Sequence, residues 1–175
     1  MSSTYRLKRG PTLALLLVVG LIGVVLIGRS STRPTLYVLV PVAVPAAYAG
    51  TTYAFDGLVC LQAGSVGAEV VGVDASTVDG VRTEIALRPP GAPPAVAFPV
   101  DPGASAPLEG LRIAAGDDPC ARVLVTADGQ GERAAGPVQV RFRYGPLGLF
   151  RTTATVTPPV VLQVTGTGTD PRSTA

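Results

Sequence analysis

The chain has 175 residues, a net charge of +2, no histidine, no tryptophan and two cysteines, Cys60 and Cys120. That length suits one folded domain with short extensions. The missing histidines exclude Ser-His-Asp and Cys-His catalysis, along with histidine-based zinc, copper or haem sites. Arg6, Lys8 and Arg9 give residues 1–10 a charge of +3, so the remainder sums to −1 against the total of +2. The isoelectric point of about 8.7 is therefore a property of the N-terminus and not a nucleic-acid footprint.

Residues 1–10 read as a basic cytoplasmic N-terminus. Residues 11–28, PTLALLLVVGLIGVVLIG, hold no charged side chain. As a helix this stretch would run ~27 Å, close to the ~30 Å apolar thickness of a bilayer. It reads as a transmembrane signal anchor, with the N-terminus inside and the rest of the chain outside the cell membrane. The alternative is secretion after signal-peptide cleavage, but the nearest A-x-A pattern, Ala47-Tyr48-Ala49, lies far past the apolar run. No G-x-x-x-G occurs in the segment, so it carries no helix-dimer signal. Residues 29–34, RSSTRP, form a linker that keeps the following domain near the membrane.

From residue 35 onward the chain reads as β-structure. Strand patterns fall at 35–44, 57–64, 67–75, 80–88, 95–100, 108–115, 121–128, 136–145 and 150–166, separated by Gly, Pro, Asp and Ser clusters. Pro41 and Pro45 mark the first of these as an edge strand or one that ends early. The cleanest alternation sets Val138, Val140, Phe142 and Tyr144 against Gln139, Arg141 and Arg143, and YGPLGLF turns this strand back into a hairpin. TADGQGERA (126–134) is a second hairpin signal. Residues 88–107 hold seven prolines and read as an extended surface connection with at most one short strand. Residues 167–175 read as a disordered tail.

The expected fold is all-β: an Ig-like β-sandwich of about 7–9 short antiparallel strands over 35–166, preceded by one N-terminal transmembrane helix. "Ig-like" denotes architecture here, because there is no tryptophan to pack on the bridge and Asp118 stands where a tyrosine corner would need tyrosine. Two cysteines in an exported domain imply a Cys60–Cys120 disulfide, which the chain-entropy relation values at ~4 kcal/mol.

Little catalytic chemistry is left. Lys8, the single lysine, would lie inside the membrane barrier, and no phosphate-cradling glycine motif precedes a helix. Asp74, Asp79, Asp117 and Asp118 could supply a carboxylate pair, yet each sits in a turn-forming context. DGQGE and DASTVD offer two carboxylates each, short of the 6–8 oxygens of a calcium site. No metal and no cofactor are expected. Arg141, Arg143 and Arg151, with Leu147, Leu149 and Phe150 near the hairpin tip, form the candidate contact for a partner or for the membrane. The expectation is a membrane-anchored, non-catalytic binding or accessory module of a bacterial cell envelope, engaging an envelope protein or cell-surface polymer. The alternatives are a small exported carboxylate-dependent hydrolase and a purely structural surface protein.

Overall fold

A computed structural model describes residues 18–20, 22–23 and 33–167. Residues 18–20 and 22–23 are helical. The remainder of the expected anchor, the basic N-terminus, linker residues 29–32 and the tail from 168 lie outside the described residues. Among the described residues no helix is long and apolar enough to cross a membrane.

The rest is all-β, in three curled sheets. The first centres on β3 (Thr52–Gln62), whose apolar run is buried on both faces, as befits a central strand. β9 (Cys120–Ala127) pairs along one edge of β3, followed by β6 (Val81–Ala86) and β5 (Ser76–Val78). The other edge of β3 is shared by β1 (Thr35–Val38), on residues 59–62, and β7 (Val96–Pro99), on residues 53–55. Gly57, at φ 79°, sits in a bulge between Asp56 and Val59 that bends the long strand.

In the second sheet the order is β12 (Phe150–Val156), β11 (Val138–Tyr144), β4 (Ala68–Asp74) and β8 (Arg112–Ile113). β11 buries Val138, Val140, Phe142 and Tyr144 and exposes the residues between them, as its alternation requires. The third sheet is β10 (Gly131–Ala134), β13 (Val160–Thr167) and β2 (Val42–Ala49). One continuous core serves all three: Tyr53, Phe55, Val123 and Val125 from the first, Val70, Val140 and Phe142 from the second, Val44, Leu162 and Val164 from the third.

Several expectations change. There are thirteen strands among the described residues, not 7–9: proline breaks two of the nine expected strand patterns, and β5 and β10 form outside them. Leu39–Pro41 separates β1 from β2, and Thr157–Pro159 separates β12 from β13, so each half joins a different sheet. β2 and β13 pair in parallel, against the antiparallel expectation. The Asp128–Gly129 turn does not close a hairpin: Gly129 and Gly131, at φ 80° and 97°, carry the chain out of the first sheet into the third. Residue 167 ends β13 and is not part of the tail.

Cys60 and Cys120 form a disulfide across a sequence separation of 60. They are register partners on adjacent strands β3 and β9, so the bridge lies within one sheet. In an immunoglobulin domain it would join two.

Candidate functional site

Two surfaces concentrate chemistry. The hairpin singled out by sequence forms as expected, with Arg143 opposite Arg151 and Arg141 opposite Thr153. Since directly opposed residues share a face, Arg141, Arg143 and Arg151 lie together on the outside of the second sheet. The same face carries carboxylates. Arg143 Nη2 donates to Glu69 Oε2 at 2.7 Å, and Arg141 Nη2 donates to Asp74 Oδ1 at 3.1 Å. Glu69 in turn opposes Arg112. The hydrogen bond from Arg143, aided by the charges of Arg143 and Arg112 and opposed by partial desolvation, holds the Glu69 carboxyl below its ordinary pKa. The guanidinium of Arg141 lies across Gly72, within 2.6–2.9 Å of where any β-carbon would stand.

At the hairpin tip Leu147 is 96% and Leu149 72% exposed. Phe150 turns inward: its ring meets Tyr144 at a centroid distance of 5.6 Å and packs against the core. The six sequence candidates therefore divide, Leu149 being exposed at the tip. Arg141 and Arg143 are ion-paired, Arg151 lies exposed on the same face, Leu147 projects into solvent, and Phe150 anchors the base of the turn.

The second surface is the outer face of the first sheet. Leu87 and Ala106 exchange backbone hydrogen bonds at 2.8 and 3.2 Å, closing the proline-rich stretch between them into a strap. Ala95 and Val100 of the strap pack on Ala54, Ala86 and Leu124, where the small side chains allow close approach. An ion pair fastens it. Arg122 donates from Nε to Asp56 Oδ1 and from Nη2 to Oδ2, both at 2.8 Å. The Ala95 amide donates to Asp56 Oδ2 at 2.7 Å, and the Asp56 amide donates to the Ala95 carbonyl at 2.7 Å. Burial pushes the Asp56 carboxyl up, but the hydrogen bonds of Arg122 and Ala95 and the charges of Arg122 and Arg88 outweigh it, leaving the pKa below its ordinary value.

Beside this clamp lies a recess of about 460 Å³ lined by Pro93, Pro94, Val96, Phe98, Pro99 and Arg122. Val96 and Phe98 are 64% and 47% exposed along it. β7 is poorly suited to accept an added strand, since Ala97 at φ 56° kinks it and Pro99 lacks an N–H. Its chemistry is that of an apolar side-chain pocket with one cation in its wall. A second depression of about 290 Å³ lies between Arg82, Glu84, Pro102 and Leu124, with Thr52 and Thr126 sharing a 2.7 Å hydroxyl hydrogen bond.

Sequence reasoning passes over Asp56 and Arg122. The available signal is a charged residue in each of two otherwise apolar strands, Asp56 four positions before Cys60 and Arg122 two after Cys120. The bulge at Gly57 brings these unequal offsets into register.

The carboxylates weighed for catalysis do not converge in the recesses described. Asp74 binds Arg141, Asp79 occupies the β5–β6 turn at φ 49°, and Asp118 accepts a hydrogen bond from the Tyr37 hydroxyl at 3.0 Å. That bond, then burial and the Asp118 charge, raises the Tyr37 pKa. Among the described residues no group of three or more Cys, Asp or Glu side chains is placed to hold a metal ion.

No family model matches the chain, and no curated protein does. Among solved structures it is similar to the Vibrio cholerae VesB protease, at 10% identity and a TM-score of 0.41. The match covers 79% of this chain and 34% of that one, so the chain spans about a third of that structure's length.

Proposed function

We propose that the protein is a membrane-anchored, extracytoplasmic binding module of the cell envelope, an Ig-like sandwich that holds an apolar segment of an envelope partner. The observation that carries this reading is the strap recess: an exposed apolar lining over a buried, ion-paired arginine. Exposed apolar surface of this kind, next to polar side chains, is what partner sites present. Neither strap-side recess is lined by two carboxylates, which a hydrolase of this composition would need. The uncharged run at 11–28 and the Cys60–Cys120 bridge support export with retention at the membrane.

A site-resolved crosslinking experiment tests it. A photo-reactive residue at Phe98 in the full-length chain should capture a discrete envelope partner, and Pro94→Asp should abolish that adduct. Arg141→Glu with Arg143→Glu should leave it intact. Capture that survives Pro94→Asp but disappears with the arginine pair would move the binding surface to the hairpin face.

A further inference from the structure

The hairpin tip holds two leucines that the core does not use. Leu147 has φ 56°, a left-handed conformation that is strained for a non-glycine residue. It carries that strain at 96% exposure. Gly145 and Gly148 flank it, also at positive φ, and aim the turn outward. The turn is braced from below: the Phe150 ring fills the space at Gly145, and the Arg143 stem lies over Gly148. A braced turn that holds a strained leucine away from the core points to something outside the domain that the leucine meets.

The path of the chain says what that contact is. Arg33, where the described domain begins, donates from Nε to Thr152 Oγ1 at 2.8 Å. Thr152 is three residues along β12 from Leu149, ~10 Å of strand. From Gly28, the end of the uncharged run, to Arg33 the backbone spans at most ~18 Å. Arg33 and the two exposed leucines thus lie toward the same end of β12. Arg112 shares a recess with Gly145 and Gly148, Arg151 follows the tip on β12, and among the described residues neither is in an ion pair. Asp117 and Asp118 lie in the loop between β8 and β9, after the strand that sets Arg112 beside Glu69, and offset part of this charge. Apolar insertion is therefore the main attraction and anionic headgroups a lesser one.

We infer that the β11–β12 tip rests in the headgroup–acyl boundary of the bilayer that holds residues 11–28, with Leu147 and Leu149 inserted and Arg33 and Arg151 at headgroup depth. The inference depends on the anchored reading above and adds an orientation to it. The tip contact fixes which face of the domain looks away from the membrane.

The chain lacks tryptophan, so Leu147→Trp introduces a single reporter. The full-length variant is placed in phosphatidylcholine vesicles containing phosphatidylglycerol and lipids brominated at defined depths. The expected result is blue-shifted emission quenched most by shallow bromines, reproduced by Leu149→Trp as a second, independent probe. Val78→Trp, on the β5–β6 hairpin next to the end of β9 opposite Cys120, should emit as in water. Vesicle flotation reads the anchor separately. A chain that floats yet shows water-like, unquenched emission at both leucine positions overturns the tip contact and leaves the anchor standing. A chain that fails to float overturns both. Emission that turns blue only when native membrane protein is added assigns the tip to a protein partner and overturns the lipid assignment.

Discussion

The strap clamp makes a quantitative prediction. The Arg122 and Asp56 side chains are 5% and 12% exposed, and three hydrogen bonds converge on the Asp56 carboxylate. Asp56→Asn keeps the shape and removes the charge, leaving a guanidinium buried without its counter-ion. Breaking a buried pair in this way costs about 3–5 kcal/mol, a large share of a typical total of ~5–15 kcal/mol. For a domain of this size the midpoint of thermal unfolding should fall by roughly 10–20 °C. Hydrogen exchange should quicken at the amides of Ala95 and Val100, which tie the strap to Asp56 and Thr52. Asp56→Leu combined with Arg122→Met should recover most of the loss, because an apolar pair of similar volume avoids the desolvation cost. The pH dependence has a definite sign. Asp56 has a depressed folded pKa, so its contribution is complete above the unfolded value of about 3.9 and is lost as pH falls through the lower folded value. Wild type should thus lose more stability than Asp56→Asn across that acid range. A melting shift of only a degree or two for Asp56→Asn, or a double variant as damaged as the sum of its singles, would refute the clamp.

Three further outcomes follow from the structure. Replacing Cys60 and Cys120 together by alanine should lower stability by ~4 kcal/mol for this loop length, read as a lower urea midpoint. Thr83 is fully buried and accepts the Gly136 amide at 2.9 Å; Thr83→Val strands that amide and should cost about 1–3 kcal/mol in denaturant titration, whereas a neutral result would mean Gly136 finds another acceptor. Leu147→Gly should raise stability by about 1 kcal/mol by releasing the left-handed leucine, while weakening the vesicle insertion proposed for the tip.

How far the sequence discloses this architecture depends on how local each signal is. The β11 alternation and its return through YGPLGLF are readable because period and turn chemistry are contained in one stretch. The proline-rich segment reads as an extended connection with at most one short strand; β7 is that strand, but a 3-10 turn at Pro102–Ala104, which the reading lacks, interrupts the extended path. The parallel β2–β13 pairing is not readable: its partners are over a hundred residues apart and each looks like an ordinary strand. The Asp128–Gly129 signal misleads because a turn dipeptide fixes a bend and does not decide which sheet the next strand joins. At the candidate sites, the outward phase of Arg141, Arg143 and Arg151 is legible, but Asp74 and Glu69, the acceptors of Arg141 and Arg143, come from β4 and lie outside any local window. The Asp56–Arg122 clamp is hidden for the same reason, since its meaning arises only when β3 and β9 align.

We propose a disulfide-stapled domain held outside the membrane by its own N-terminal segment. Its most direct test is intact mass with thiol labelling on protein taken from native membranes, with and without reductant. The expected result is a full-length, membrane-bound chain that takes no label until reduced and two labels afterwards. Free thiols on Cys60 and Cys120 in unreduced protein, or recovery in the soluble fraction, would contradict it.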